Sequence, residues 1–217
     1  MTAANQGMLP ERFILDLDGT LIDSAPGILS TFEQVLAAHR ITPVRPIDAS
    51  LIGPPLKLAL REMTGIGDEG QLVQLSDSFR HVYDHEGYKL SQPYPGIGDL
   101  LSKWRALGLP AYIVTNKREV PTLRILAYLG WEGLFERVYA IDSRTPAYEN
   151  KTVALATLLR DCAIDPATSV YIGDTRSDEE ASRANGLSFT GVAWGYGALV
   201  GEGVVEQVAD LPYWGVA

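Results

Sequence analysis

The sequence predicts an α/β fold: a parallel sheet flanked by helices, with an all-helical cap inserted after the first strand. Two observations carry this expectation. Short apolar runs alternate with stretches of helical periodicity along most of the chain, and one long stretch near its start breaks the alternation by reading as helix throughout. The bulk numbers fit. The 217 residues are enough for one packed core plus a modest insertion, and 46% hydrophobic with 21% charged residues is an ordinary globular composition.

Taken in order, the strand-like runs are Phe13–Leu17, Ala111–Val114, Val138–Ile141, Ser169–Ile172 and Ser188–Ala193. Between them lie helical patterns. Ile97, Leu100, Leu101, Trp104 and Leu107 make one apolar face that Gly108 ends, and Leu123, Leu126 and Ala127 make another that Gly130 ends. Strands alternating with helices of this length read as right-handed crossover units on a parallel sheet. From Ala25 to Gln92 the pattern is helical without a convincing strand, too long for one crossover. This is the inserted cap, with hinges expected near Ser24–Pro26 and Pro93–Gly96.

Composition also narrows the function classes. A formal net charge of −9 repels a polyanionic backbone, so no nucleic acid polymer is expected as partner. Cys162 is the only cysteine, so an internal disulfide is excluded and a reducing, cytoplasmic setting is expected. Its position on an apolar helix face with Leu155, Leu158 and Leu159 reads as a small buried hydrophobe. The opening MTAANQGMLP lacks the charge and apolar run of a signal peptide, and no apolar run is long enough to span a membrane.

Four segments carry candidate chemistry. Asp16-Leu17-Asp18-Gly19-Thr20 follows the first apolar strand, where ligands bind in open α/β sheets. Two carboxylates held so close suggest a shared cation, while Gly19 permits a sharp turn and Thr20 braces it. A simple Asx-turn accounts for one Asp-Gly pair but not for both acids. Thr115-Asn116 ends the second strand with a hydroxyl and an amide before a helix, a small anion site or, taken alone, a plain helix cap. Asp174 closes another apolar strand, and Asp178 follows one helical turn later, placed to support a metal held with Asp16; Asp174 and Thr175 also suit a capped helix start. Lys151 opens a helix, against the macrodipole, where a phosphate and nearby aspartates would favour it; alone it reads as a solvated surface lysine.

Together, and through the Val192-Ala193-Trp194-Gly195-Tyr196-Gly197 turn, these segments resemble the haloacid dehalogenase superfamily, specifically its phosphatases with a helical cap after the first motif. Thr115-Asn116-Lys117 and Ile52-Gly53-Pro54-Pro55 are similar to the phosphoglycolate-phosphatase-like branch. One departure is that Lys151 lies in Glu149-Asn150-Lys151-Thr152, where close relatives have a Lys-Pro pair. The resemblance implies a Rossmann-like core over residues 1–23 and 93–217 with a cap over 24–92. It implies a Mg²⁺-dependent hydrolysis of a small phosphorylated metabolite. Asp16 would be the nucleophile and Asp18 the acid and base, with its proton affinity raised by Asp16 and Asp174. Thr115 and Lys151 would neutralise the phosphoryl oxygens, and Asp16, Asp18, Asp174 and Asp178 would serve the metal. Gly19, Thr20 and Asn116 are expected near the phosphoryl group. Gly53, Pro54, Arg80 and Tyr83 are the cap candidates for substrate contact, against ordinary surface or packing roles. The chain is expected to act as a monomer or homodimer. A phosphomutase on a sugar phosphate and a non-catalytic binding module remain as alternatives.

Two patterns fail their context. Gly65-Ile66-Gly67-Asp68-Glu69-Gly70 has dinucleotide-loop spacing but follows a helix and carries two acids, so it reads as a loop between helices. His81 and His85 lie one helical turn apart but lack the Glu and third ligand of a zinc site, and read as a solvated face.

Overall fold

The computed structural model describes residues 9–215; the signal-peptide reading falls largely on residues 1–8, outside them. In chain order the elements are β1 (Arg12–Leu15), β2 (Ile22–Asp23), α1 (Ala25–Ala38), α2 (Leu56–Thr64), α3 (Glu69–His85), β3 (Gln92–Pro93), α4 (Ile97–Ala106), β4 (Ala111–Thr115), α5 (Glu119–Tyr128), β5 (Arg137–Ala140), α6 (Lys151–Asp161), β6 (Ser169–Gly173), α7 (Arg176–Ala184), β7 (Ser188–Val192) and β8 (Val204–Val205). Six strands form one sheet in the order β5-β4-β1-β6-β7-β8, every neighbouring pair parallel. The expected α/β fold with helices flanking a parallel sheet is therefore present.

Strand alternation sorts side chains into two cores. Phe13, Leu15 and Ile113 face one way with Trp104 of α4 and Ile125 of α5. Ile14, Tyr112 and Val114 face the other with Leu155 and Leu158 of α6 and Ala181 of α7. Phe13 stacks on Trp104, ring centroids 3.8 Å apart. The left-handed turns at Gly108 and Gly130 stop α4 and α5 as the sequence indicates.

The segment between β2 and β3 holds α1, α2 and α3, packed on each other through Phe32, Val35, Leu60, Met63, Leu72, Leu75 and Phe79. It is less uniformly helical than its sequence reads. Residues 39–55 are loop and a single 3₁₀ turn at Ala49–Leu51, and the run of Pro43, Pro46, Pro54 and Pro55 explains why. Its two ends pair as a short antiparallel ladder, Ile22 with Pro93 and Asp23 with Gln92, so Gln92 is strand rather than the end of the helical run. Gly65 ends α2 in the left-handed region, and Asp68 caps α3, so the dinucleotide-like spacing is a helix-helix loop. Among the described residues, no helix is long and apolar enough to cross a membrane. Cys162 is half-buried at the end of α6, less enclosed than its apolar helix face suggests.

Candidate active site

The chain runs from β1 outward through β4 to β5, then returns to β6 on the opposite side of β1. Beyond the carboxyl ends of β1 and β6 lies the crevice where such sheets take ligands. Asp16 follows β1 and Asp174 follows β6, one on each side of it. The Asp16 amide donates to Ile172 O at 3.0 Å, extending the ladder one residue and fixing the start of the turn. Gly19 then adopts a φ of +79°, and a Cβ there would run into the Asp174 carboxylate. Only glycine allows both the turn and the close approach.

Asp16, Asp174 and Asp178 bring one carboxylate oxygen each within 4.8 Å of one another, all three buried. Among the described residues, Lys151, the first residue of α6, is the one cation bonded to these acids: its ammonium lies 3.0 Å from Asp16 Oδ2 and 2.5 Å from Asp178 Oδ1. It is a buried residue, only 4% exposed, so the solvated-surface alternative is excluded. Burial opposes its charge, but Asp16 and Asp178 outweigh that and hold its pKa above the ordinary lysine value. The Asp16 carboxyl is pushed up to about 7, first by burial, against the pull of Lys151 and with the repulsion of Asp178, Asp174 and Asp18. Asp174 is also raised, by burial and then by Asp178, although the amides of Tyr196 and Gly197 oppose the shift.

The donor set fits a small divalent cation. Three carboxylates face one lysine, and Asp16 Oδ1 is buried without a hydrogen-bond partner. A cation there would satisfy that oxygen and reverse the upward shift of Asp16. The three acids are not equivalent, however. Asp178 Oδ1 receives Lys151 and lies 3.3 Å from the Tyr171 hydroxyl, while Oδ2 accepts from the amide and hydroxyl of Thr175 at 3.0 and 2.6 Å. Thr175 and Asp178 thus form a capping box on α7. With both oxygens engaged, Asp178 anchors Lys151 beside Asp16. Of the three acids only Asp16 keeps an oxygen without a hydrogen-bond partner, and the Asp174 carboxylate, held by Thr20 and the Tyr196 and Gly197 amides, lies beside it.

Asp18 has a neighbour that the sequence did not assign to it. Its carboxylate meets the Lys117 ammonium, 3.0 and 3.1 Å from its two oxygens. Lys117 also donates to Tyr83 Oη at 2.9 Å and sits 4.7 Å from the centre of that ring. Thr20, expected near a phosphoryl group, is buried, and its hydroxyl donates to Asp174 Oδ1 at 3.2 Å. It braces a carboxylate and has no free donor for substrate. Thr115 is buried at the end of β4, its hydroxyl accepting from the Lys117 amide at 3.2 Å, and Asn116 is exposed beside it. Neither caps α5, whose N-cap is Arg118. Tyr83 reaches the site through Lys117. Arg80 pairs with Asp77 at 3.1 Å, and Gly53 and Pro54 lie in an exposed loop; neither Arg80 nor these two bonds to the carboxylate group. His81 and His85 are exposed, with rings 4.6 Å apart, a solvated face as read.

Three residues at this site had no role assigned from sequence. Lys117 follows a strand-end Thr-Asn pair, the same kind of position that singled out Asp16 and Asp174. Tyr171 places a hydroxyl in an otherwise apolar strand, donating to Val114 O at 2.8 Å. Tyr196 is flanked by Gly195 and Gly197, a signature of backbone packed tightly on something.

Known proteins agree with this geometry. The family model for haloacid dehalogenase-like hydrolases matches residues 13–192. Tyrosine-protein kinase PtkA of Mycobacterium tuberculosis is 35% identical over 197 residues, covering 90% of this chain; the chain spans 66% of that relative's length. A phosphoglycolate phosphatase of Xylella fastidiosa is 31% identical over 192 residues, covering 86% of this chain and 82% of the relative. A solved haloacid dehalogenase-like hydrolase of Streptococcus pneumoniae superposes with a TM-score of 0.76 at 26% identity, covering 87% of each chain. The chain belongs to the haloacid dehalogenase-like hydrolase family.

Proposed function

We propose that the protein is a Mg²⁺-dependent phosphatase that hydrolyses a small phosphomonoester, phosphoglycolate-like or a nucleoside monophosphate, through an aspartyl-phosphate on Asp16. The observation that carries this is the buried Asp16 carboxylate, with one oxygen on Lys151 and the other without a partner, beside the buried Asp174. The phosphatases among the relatives support the same reading.

An oxygen of Asp16 attacks phosphorus as the bond to the leaving alcohol breaks, and Asp18 supplies that alcohol's proton. Water then attacks phosphorus with its proton passing to Asp18, releasing phosphate and restoring the Asp16 carboxylate. Lys151 keeps Asp16 oriented and, with Thr115, Asn116 and the amides after Asp16, balances the negative charge on the phosphoryl oxygens. Asp16 and Asp174, with the Asp18 carbonyl, would hold Mg²⁺, which supplies charge neutralisation at the phosphoryl group. Together these effects must lower the barrier by on the order of 20 kcal/mol, because phosphomonoesters hydrolyse so slowly unaided. The helical insertion, residues 24–92, acts as a cap that excludes bulk water and presents Tyr83 to the site. The single cysteine fits a reducing cytoplasm.

The test is phosphate release from a panel of phosphomonoesters with and without Mg²⁺, comparing wild type with Asp16→Asn. Metal-dependent release that disappears in the variant is expected. Undiminished release by Asp16→Asn would remove Asp16 as nucleophile.

A further inference from the structure

Tyr196 touches two parts of the molecule that are far apart in sequence. Helix α1 begins without a side-chain cap, and the first N–H groups of a helix have no partner within it. Here the amides of Ser24 and Ala25 donate to the phenol oxygen of Tyr196 at 2.7 and 2.9 Å. The phenol in turn donates to Asp23 Oδ1 at 2.8 Å. At its other end, the Tyr196 amide donates to Asp174 Oδ2 at 2.7 Å, joined by the Gly197 amide at 3.2 Å. One residue therefore ties the start of the helical insertion to a carboxylate of the active site.

The connection has no slack. A Cβ on Gly195 would meet Asp174 and the Gly19 carbonyl, and one on Gly197 would meet the backbone of Asp174 and Thr175. The Trp194 indole N–H donates to Thr20 O at 3.1 Å, fastening the same loop to the turn after Asp16. With Thr20 on Oδ1, both oxygens of Asp174 are oriented from outside, one by each side of this frame.

We propose that Tyr196 is a positioning residue that couples the setting of α1 to the Asp174 carboxylate, so that cation binding at the site and closure of the helical insertion depend on each other. The inference rests on the cation site described under the proposed function. Such coupling is reciprocal: whatever orders Asp174 orders the start of α1, and the reverse.

The experiment measures amide hydrogen exchange at Ser24 and Ala25 in the full chain, with and without Mg²⁺, and Mg²⁺ affinity by calorimetry. Wild type, Tyr196→Phe, Asp23→Asn and Asp174→Asn are compared. Mg²⁺ is expected to slow exchange at both amides in wild type. Tyr196→Phe should lose that protection and bind Mg²⁺ about tenfold more weakly, the low end for residues that orient a metal's ligands. Asp23→Asn weakens the phenol's acceptor and leaves Tyr196 itself intact; because Asp23 Oδ1 also accepts from the Ala25 amide at 3.0 Å, it is read at Ser24, where protection should fall the same way by less, as should Mg²⁺ affinity. A Tyr196→Phe variant that melts earlier yet keeps wild-type affinity and protection would overturn the coupling and leave only a structural role. Unchanged affinity in Asp174→Asn would overturn the cation site itself, and the coupling with it.

Discussion

At the scale of single residues, the site is governed by the imbalance of buried charge. Asp16 sits among acids with one lysine to offset them, and its carboxyl is raised from 3.8 to about 7. A carboxyl that holds its proton more tightly when folded favours the folded state at low pH, and that contribution is lost as pH rises from about 4 to about 7. In chelator, therefore, Asp16→Asn should melt later than wild type at pH 8 and near wild type at pH 4. Mg²⁺ should raise the wild-type melting point at pH 8 and leave the variant's nearly unchanged. Equal melting points of the two proteins at pH 8 without metal would contradict the burial and repulsion assigned to Asp16. Lys151 shows the limit of reading residues singly. On sequence alone it is an ordinary lysine, and only the packing of α6 against β4, β5 and α7 places it between Asp16 and Asp178.

At the scale of elements, strand ends and tight turns place the chemistry. Asp16, Thr115 and Asp174 each stand where an apolar strand stops, and this was legible because strand and loop differ sharply in composition. The partners of those residues were not. Lys117 meets Asp18 across 99 positions and Tyr83 across 34, pairings that no local periodicity encodes. The bond that ties Asp178 to Lys151 spans 27 positions and was equally invisible, although the Thr175 cap on Asp178 is local. The turn after β7 yields a direct test. Gly195→Ala adds a methyl where Asp174 and the Gly19 carbonyl leave no room. It should cost about 1–3 kcal/mol of stability in denaturant melts, as overpacking does, and should lower turnover beyond what saturating Mg²⁺ restores. Wild-type turnover in this variant would show that Asp174 tolerates displacement.

At the scale of the whole molecule, a parallel sheet with its two cores carries a helical insertion that has a core of its own. The alternation of strands and helices announced the sheet, and the long strandless stretch announced the insertion. The loop over residues 39–55 was hidden in it because proline positions were outweighed by the apolar pattern around them. Insertion and sheet meet through Tyr83 on Lys117 and Asp84 on Arg118, the latter at 2.5 Å. Arg118→Ala should raise KM by about fivefold, since a partly exposed ion pair is worth about 1 kcal/mol, unequally among substrates and with kcat little changed. An equal fall in kcat for every substrate would mean that the insertion does not select among them. The central claim is that phosphoryl transfer passes through Asp16. The most direct measurement is to quench wild type in acid during turnover and map the phosphoryl group by peptide mass spectrometry. A hydroxylamine-labile phosphoryl group on Asp16, absent from Asp16→Asn, is the predicted result; a phosphoryl group on any other residue, or inversion of configuration at phosphorus with none trapped, would contradict it.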